Sequence, residues 1–373
     1  MKKVLVVGNA SSVWTKEYIK NIHIKHGNCV WVTCYNKLSN ADEEFYNTIN
    51  VKFLDLSSRG KFERVIKYYG RLKKFLNVHK SELDIVDIQG PPHSWQADII
   101  YAVFRKSKAR IVTTFWGSDI LQIGIKDSKH LEKILNISRW INIGTSHMHD
   151  KLREFYGNRF DSKCTYIGFG SPALTYIREC RMSKRGAKEQ LGLDPSKEVI
   201  AVGYNGRQEQ QHIKAIESVD KLPSAHKLRV QLLIHIGYNT ETGYKEKIIK
   251  SIEKTGLAYL LMEDMLDLYN VAIMRIATDI FIHAQTSDGL SGSVREAVYA
   301  GATLLNPVWI RYDKFDKDGV EYVKYTDFQD LTTKLKLVLD NIIKVDKDKN
   351  REVLYNEYSW EAVEHKWMRM FDD

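Results

Sequence analysis

Short apolar runs alternate with longer amphipathic stretches along the first half of the chain. This alternation is typical of βαβ units that stack into a parallel sheet. The apolar runs predict strands at residues 4–7, 29–33, 51–54, 85–88, 111–114 and 140–143. Apolar positions at helical spacing predict helices at residues 14–24, 61–76, 95–104 and 131–137.

The second half repeats this pattern after a polar segment at residues 171–186, which we interpret as a domain junction. Strands are predicted at residues 199–203, 230–235 and 280–283, and helices at residues 212–219, 244–255, 266–275, 293–300 and 331–343. A last helix at residues 359–371 has Ser359 as a candidate N-cap.

The length of 373 residues exceeds what one hydrophobic core usually organises, so we expect two domains. The predicted domains cover residues 1–172 and 187–355, and residues 356–373 are predicted as a helix that crosses back to the first domain. The predicted fold class is therefore α/β, with two doubly wound sheets in succession. Ligands in such sheets bind at the carboxyl ends of the strands.

The formal net charge of +9 favours anionic partners. Acidic phospholipids and phosphorylated small substrates both fit this charge. We expect no nucleic acid partner, because the chain has no zinc-finger spacing, RNP-like strand or Arg-rich arm. The four cysteines are scattered without a CxxC pair, which indicates a reduced, cytoplasmic setting. The apolar runs are too short for a signal peptide or a membrane helix, so membrane contact is expected to be peripheral at most.

The most informative stretch runs from His283 to Gly301. A strand is predicted to end at His283, a loop rich in Gly and Ser follows, and an Ala-rich helix begins near Ser293. The free N–H groups of Gly292, Ser293 and Val294 at that helix start make a seat for a diphosphate.

Two acids belong to the same stretch. Glu296 is expected in the first helical turn, where its carboxylate can accept both vicinal hydroxyls of a ribose. Asp288 lies on the loop before the helix. A second interpretation stays open, in which Asp288 caps the loop and Glu296 favours the helix dipole without any ligand.

This stretch resembles the family 4 glycosyltransferases, which are retaining enzymes of the GT-B fold. Members have two acids separated by seven residues, then Ala in a helix and a Gly, and this chain offers Asp288, Glu296-Ala297 and Gly301. The resemblance implies two Rossmann-like domains that face each other across a cleft. The first acid of the family is usually Glu, so Asp288 departs from the pattern.

The resemblance also implies roles for the donor loop. Glu296 would hold the donor ribose, and Asp288 with the amides of Gly289 and Leu290 would meet the donor sugar. The remaining donor-binding residues of this loop are predicted to be Ser291, Gly292 and Ser293.

A second match follows the strand at residues 199–203. The family has Gly-Arg there and a Lys five residues later, and the two cations neutralise the donor diphosphate. This chain has Gly206-Arg207, with His212 at the Lys position. A His can donate one hydrogen bond in place of a full charge. A plain surface role is the alternative for Arg207.

The first half supplies the predicted acceptor-binding residues, Gln89, Trp116 and Asp119. Many family members have His at the position of Gln89 or Trp116. His93 is the nearest imidazole, and it joins Asp288 and Arg207 as a predicted catalytic residue. A surface role for His93 and a helix-cap role for Asp119 stay open.

The turn after the first strand contributes Gly8 and Asn9 to the predicted donor-binding set. It is not a GxGxxG fingerprint, and the P-loop, GxSxG and HExxH signatures are absent. His147 and His149 are two residues apart, a spacing more typical of a solvated turn than of a metal site. We predict no cofactor and no metal.

The turn Asn205-Gly206 with Gln211-His212 also resembles the family 56 fucosamine transferases, which build an enterobacterial surface polysaccharide and are inverting. We favour retention, because the acidic pair and Glu296-Ala297 match family 4 more closely. The implied reaction moves a sugar from a nucleoside-diphosphate sugar to a hydroxyl of a glycan or polyprenyl-linked acceptor, in surface polysaccharide biosynthesis.

Two other functions stay open. One is a catalytically silent nucleotide-sugar-binding or scaffold protein of the same fold, and the other is a UDP-sugar epimerase. The basic, aromatic stretch at residues 61–80 could face anionic lipid at the inner face of the plasma membrane, or it could be an ordinary surface helix.

Overall fold

The computed structural model describes residues 1–57 and 61–372, and it divides the chain into two compact units. Unit 1 comprises Met1–Gly170 and Trp360–Asp373, and unit 2 comprises Ser171–Ser359. The segment at residues 171–186, expected to be an irregular junction, belongs to unit 2. It forms one complete helix and begins a second, because Ala173, Leu174 and Ile177 pack into the core of that unit.

Unit 1 is built on a parallel sheet with the strand order β3-β2-β1-β4-β5-β6-β7. Its strands are β1 (Lys3–Val7), β2 (Cys29–Cys34), β3 (Lys52–Asp55), β4 (Ile85–Gln89), β5 (Arg110–Thr114), β6 (Trp140–Asn142) and β7 (Cys164–Thr165). Its first seven helices are α1 (Val13–Tyr18), α2 (Asn40–Thr48), α3 (Lys61–His79), α4 (Trp95–Phe104), α5 (Ser118–Leu121), α6 (Ile125–Ile137) and α7 (Ser146–Tyr156).

Both faces of the inner strands of this sheet are covered, which explains the apolar runs of β1 and β2. Along β1, Val4 and Val6 face one core cluster, whereas Leu5 and Val7 face another. The helix predicted at residues 14–24 is not uniform, because α1 continues as a π-helix over Ile19–Ile24.

Unit 2 has a six-stranded parallel sheet with the order β10-β9-β8-β11-β12-β13. Its strands are β8 (Glu198–Val202), β9 (Val230–His235), β10 (Tyr259–Met262), β11 (Ile280–Ile282), β12 (Thr303–Pro307) and β13 (Val323–Tyr325). Its helices are α8 (Pro172–Glu179), α9 (Lys184–Gln190), α10 (His212–Asp220), α11 (Ser224–Lys227), α12 (Tyr244–Thr255), α13 (Leu268–Ala277), α14 (Gly292–Tyr299), α15 (Asp313–Asp318), α16 (Phe328–Leu339) and α17 (Lys347–Tyr358).

The last helix, α18 (Trp360–Asp372), belongs to unit 1. Its Trp367 is fully buried, packs on Tyr18 with ring centroids 5.0 Å apart, and donates a hydrogen bond to the carbonyl of Gly168. The chain therefore returns to its first unit at its end.

Each sheet reverses its strand order at one place, which is where doubly wound sheets bind ligands. In unit 1 this place lies between β1 and β4, and in unit 2 it lies between β8 and β11. The loops that leave the carboxyl ends of these four strands contain most of the predicted site residues.

Candidate functional site

The switch point of unit 2 brings two loops together. Gly203 follows β8 with a φ of +65°, and its amide donates to the carbonyl of Ile282 at the end of β11. A Cβ atom on Gly203 would lie 2.6 Å from Nε2 of His212 and 3.1 Å from Oε1 of Gln210. A side chain at this position would therefore collide with the imidazole as well as strain the backbone.

His212 is the first residue of α10 and is fully buried. Burial lowers the pKa of its imidazole to about 4, so His212 is uncharged at neutral pH. Its Nδ1 lies 3.3 Å from the hydroxyl of Tyr244. Within the described residues, Nε2 of His212 and the neighbouring Oε1 of Gln210 have no hydrogen-bond partner.

Arg207 lies on the same loop, where its backbone amide donates to Oδ1 of Asn205. Its side chain is partly exposed, and no carboxylate of the described chain pairs with its guanidinium. The two residues at the positions of the family's cations are therefore an arginine and, as expected, an imidazole without a full charge.

Asp288 is buried, and donors surround its carboxylate. Oδ2 accepts from the backbone amide of Ser291 at 2.9 Å and from the hydroxyl of Tyr312, and the hydroxyl of Tyr204 lies 3.2 Å from Oδ1. Burial raises the pKa of both tyrosines well above the usual value. Asp288 therefore connects the loop that contains Gly289 and Leu290 to Tyr204, which follows β8, and to Tyr312, which precedes α15.

The imidazole of His283 stacks on the rings of Tyr204 and Tyr312. Its ring centroid lies 6.0 Å from that of Tyr204 and 5.8 Å from that of Tyr312, at interplanar angles of 22° and 13°. Nδ1 lies 2.8 Å from Oδ1 of Asn306. The amide of Asn306 donates to two backbone carbonyls, so its oxygen accepts from His283 and leaves Nε2 of the imidazole as an acceptor. That Nε2 is buried without a partner in the part of the chain described.

The start of α14 completes this edge of the sheet. Ser291 is the N-cap but makes no side-chain cap, and its buried Oγ has no partner among the described residues. The first amides of a helix have no intrahelical acceptor, so those of Gly292 and Ser293 remain available for an anion. Leu290 adopts a φ of +65° and buries its side chain in the core just before this turn.

Glu296 is the fifth residue of α14, so the expectation that it lies in the first turn is wrong. The helix begins at Gly292, one residue earlier than predicted. Glu296 is buried, and its Oε1 accepts from Oγ of Ser171 at 2.7 Å. Its Oε2 lies 3.4 Å from both Nε and Nη2 of the buried Arg275. The carboxylate is thus half of a buried ion pair.

Unit 1 collects the other predicted residues around the ends of β1 and β4. The amide of Gly8 lies 3.2 Å from Oγ1 of Thr33, and a Cβ atom on Gly8 would meet Cβ of Gln89 at 3.3 Å. Oδ1 of Asn9 accepts from the amide of Ser11. Gly8 and Asn9, predicted to bind the donor, therefore lie beside Gln89, which is predicted to bind the acceptor.

Gln89 and Trp116 lie at the ends of the adjoining strands β4 and β5, and Asp119 lies in α5, which follows β5. The indole Nε1 of Trp116 donates to Oε1 of Gln89 at 3.1 Å. Asp119 accepts from the amides of Trp116 at 3.0 Å and Gly117 at 2.8 Å, which is a cap of the loop before α5. Burial raises the pKa of Asp119 to about 6, although these amide hydrogen bonds act in the opposite direction.

His93 follows the same strand end. Its Nδ1 is buried and has no partner among the residues that the structure describes. The other two predicted catalytic residues, Asp288 and Arg207, belong to unit 2.

The sequence assigned no site role to several residues that shape these sites. They are Asp87, Ser171, Tyr204, Gln210, Arg275, His283 and Tyr312. A charged residue inside the apolar strand at residues 85–88 was a signal for Asp87. Arg275 and Ser171 lie 21 and 125 positions from Glu296, so no local pattern connects them to it.

No helix within residues 1–57 and 61–372 is long and apolar enough to cross a bilayer. Over the same residues, no group of three or more His, Cys, Asp or Glu side chains is arranged to hold a metal ion.

Known structures identify the architecture of the whole chain. The Anabaena protein HepE in complex with UDP and glucose matches with a TM-score of 0.77 at 12% identity, over all of both chains. A glycosyltransferase from Rickettsia africae matches with a TM-score of 0.79 at 13% identity, over all of this chain and 98% of that one. The lipopolysaccharide outer core galactosyltransferase WaaB matches with a TM-score of 0.68 at 14% identity, over all of this chain and 99% of that one.

These likenesses confirm the predicted fold class: the chain has the GT-B fold, with two Rossmann-like domains. Residues 3–139 match the family described as Glycosyl transferase 4-like, and the predicted resemblance to that group is confirmed. No curated protein matches the sequence.

Proposed function

We propose that this protein is a hexosyltransferase-type glycosyltransferase that takes its donor, a nucleoside-diphosphate sugar, at the carboxyl edge of the unit 2 sheet. One observation carries the proposal. Five buried polar atoms on residues 203–212 and 283–291, the segments that follow β8 and β11, have no partner in the described chain, and they belong to Glu209, Gln210, His212, His283 and Ser291. Buried polar atoms normally have partners, so their shared location supports a polar ligand.

The diphosphate has a natural place at this edge. Arg207 offers a planar fork of donors, and the start of α14 offers free amides and the positive end of a helix dipole. His212 adds a neutral contact, because burial keeps its pKa near 4. The solved structures of HepE with UDP, and with UDP and glucose, support a uridine diphosphate donor here.

The acids of unit 2 then have different roles. Glu296 accepts the ribose hydroxyls with lone pairs that Ser171 and Arg275 leave free. Asp288 keeps the loop in place through Tyr204 and Tyr312, so that the amides of Gly289 and Leu290 meet the sugar. This arrangement requires no protein nucleophile.

The transfer step is proposed to retain the anomeric configuration and to need no metal. The bond between the anomeric carbon and the phosphate oxygen breaks, and a bond to the acceptor oxygen forms on the same face. The acceptor proton passes to the departing phosphate oxygen. Arg207 and the α14 amides stabilise the charge that develops on the diphosphate.

The acceptor is proposed to be a hydroxyl of a glycan or a polyprenyl-linked glycan in surface polysaccharide biosynthesis. Gln89 and Trp116 supply an amide and an aromatic ring at the unit 1 switch point, and His93 offers an unpartnered ring nitrogen. The WaaB likeness, to a lipopolysaccharide galactosyltransferase, supports this class of product.

A cytoplasmic position at an anionic membrane surface is proposed from α3. Residues 61–80 contain seven Lys and Arg and one acid, Glu63, so they carry a formal net charge of +6 against +9 for the whole chain. The same helix exposes Val65, Ile66, Tyr69 and Val78, with Ile66 at 75%. Basic charge and exposed apolar side chains on one helix are complementary to acidic lipid head groups.

A silent nucleotide-sugar-binding or scaffold protein is the second candidate. The observation in its favour is that the Asp288 carboxylate already has hydrogen-bond partners within the protein, namely Tyr204, Tyr312 and the amide of Ser291. A UDP-sugar epimerase is a third possibility, and it would need no acceptor.

Nucleoside diphosphate release separates these candidates. The full chain is incubated with UDP-, GDP- and dTDP-sugars, with and without an extract of polyprenyl-linked glycans. We expect release that depends on the extract and a new glycan product. Binding of the nucleotide without release would favour the scaffold, and a free sugar formed without acceptor would favour the epimerase.

A further inference from the structure

A line of buried hydrogen bonds runs through unit 1 behind the Trp116 indole. Trp116 donates to Oε1 of Gln89 at 3.1 Å, and Nε2 of Gln89 donates to Oδ1 of Asp87 at 2.7 Å. The other oxygen of Asp87 accepts from the hydroxyl of Tyr18 at 2.6 Å and lies 3.2 Å from Nε2 of His23. Asp87 is fully buried in the middle of β4.

The direction of these bonds is fixed by chemistry. An ionised carboxylate only accepts and an indole N–H only donates. Gln89 lies between the two, so its NH2 group must face Asp87 and its oxygen must face Trp116. Asp87 thereby determines which end of the Gln89 amide reaches the indole.

The far side of Asp87 is determined in the same way. The backbone amide of Lys2 donates to Oδ1 of Asn28 at 2.9 Å, which turns the NH2 group of Asn28 towards Nδ1 of His23, 3.5 Å away. Nε2 of His23 then faces Asp87 as a donor. Three donors therefore converge on one buried carboxylate.

The π-helix after α1 makes this convergence possible. Tyr18 and His23 are five residues apart, which is the spacing of the i→i+5 hydrogen bond of a π-helix. Both side chains reach Asp87, and α18 covers them, with Trp367 on Tyr18 and Phe371 on His23. The irregular helix thus brings the side chains of Tyr18 and His23 to the same carboxylate.

We propose that Asp87 is a positioning residue, which locks the Gln89 amide and through it the Trp116 ring at the unit 1 switch point. Trp116 is partly exposed and packs on Phe169, with ring centroids 5.3 Å apart, so its ring is a platform at that edge. That this platform receives the acceptor rests on the proposed function, whereas the lock itself does not.

The variant Asp87→Asn tests the lock, that is, whether Asp87 fixes the orientation of the Gln89 amide. Tyr18 and His23 hold the oxygen of the new amide, so its NH2 group faces Gln89. The Gln89 amide must then turn, and its NH2 group meets the indole N–H of Trp116. We expect the indole hydrogen bond of Trp116 to be lost.

The double variant Asp87→Asn/Gln89→Glu exchanges the amide and the carboxylate without changing their size. The NH2 group of the new amide at position 87 can donate to the new carboxylate at position 89, and that carboxylate can still accept from Trp116. We expect the double variant to recover the bond that the single variant loses. Tyr18→Phe is the matched control, because it removes a donor to Asp87 on the side away from Gln89.

The readout is the indole N–H resonance of Trp116 in full-length protein labelled at its 8 tryptophans, assigned by Trp116→Phe. We expect an upfield shift in Asp87→Asn, recovery in the double variant and little change in Tyr18→Phe, while calorimetric binding of UDP stays the same in Asp87→Asn and in Tyr18→Phe. An unmoved resonance in folded Asp87→Asn, or no recovery in the double variant, would overturn the lock. These resonances do not depend on catalysis, so absence of transferase activity would contradict only the proposed function.

Discussion

The carboxylate of Glu296 and the guanidinium of Arg275 form a buried pair inside unit 2, with Oε2 3.4 Å from both Nε and Nη2. Both side chains are almost inaccessible, at 6% and 4% exposure. Glu296, which was expected to bind the donor ribose, is therefore also part of the core of unit 2. Removing its charge has consequences for stability as well as for binding.

Glu296→Gln should destabilise unit 2, because it leaves the Arg275 cation buried without a counter-charge. Breaking such a pair costs about 3 kcal/mol. Thermal melts with and without UDP check this prediction, and Glu352→Gln, an exposed position on α17, is the matched control. An unchanged melting temperature together with lost UDP stabilisation would show that Glu296 serves the ligand alone.

His212 gives unit 2 a defined pH dependence. Burial lowers the pKa of the folded-state imidazole to about 4, below its unfolded value of 6.5. Between these values the imidazole binds a proton in the unfolded chain but not in the folded chain. The contribution of His212 to the free energy of unfolding is therefore fully present above pH 6.5 and is lost as the pH falls towards 4.

Denaturation with urea at a series of pH values checks this dependence. His212→Gln should remove a slope of about 1.4 kcal/mol per pH unit in that window, whereas His365→Gln, at an exposed position, should not. Equal slopes in the two variants would contradict the neutral, buried imidazole.

Arg207→Ala should reduce turnover about 100-fold, because the departing diphosphate loses its charged hydrogen-bond donor. Lys214→Ala is the control. Lys214 lies in α10, where its ammonium donates to Gln211 and lies over the ring of Phe328. Steady-state release of nucleoside diphosphate is the measurement, and comparable losses in both variants would indicate a general effect of charge.

The lipid-facing role of α3 predicts that Lys74→Glu weakens binding to vesicles of phosphatidylglycerol and phosphatidylcholine by about 2 kcal/mol, because the charge at the surface changes by two units. Ile66→Glu should weaken it as well. Lys254→Glu and Leu228→Glu, at exposed positions of unit 2, are the matched controls, and Leu228 is 75% exposed, as Ile66 is.

Cosedimentation with these vesicles is the measurement, and added salt should weaken binding. Equal binding by all four variants, or equal binding to vesicles of phosphatidylcholine alone, would contradict an electrostatic lipid contact at α3.

The sequence predicted strands such as β1 and β9, whose runs are mainly apolar and buried. The strands that it missed include β10, β12 and β13. Tyr259 at the start of β10 is 41% exposed, and β12 ends in Asn306 and Pro307, which are unusual in a strand. These strands depend on pairing with neighbours that no local pattern reveals.

The candidate site was likewise predicted only in part: the sequence indicated its loops but not the partners of its acids. The Gly-rich loop before α14 and the Arg207 loop lie at the switch point, where the alternating pattern predicts ligands. The partners of Asp288 and Glu296 come from positions far along the chain, namely Tyr204, Arg275 and Ser171. Their burial is a property of tertiary packing, so the sequence could suggest the acids but not their surroundings.

Calorimetric titration of the full chain with UDP tests most directly whether unit 2 holds the nucleotide. We expect the wild-type protein and Gln89→Ala to bind UDP equally well, and Arg207→Ala to bind it at least about tenfold more weakly, a loss of about 1.4 kcal/mol. UDP binding that survives in Arg207→Ala but disappears in Gln89→Ala would contradict the assignment and place the nucleotide in unit 1.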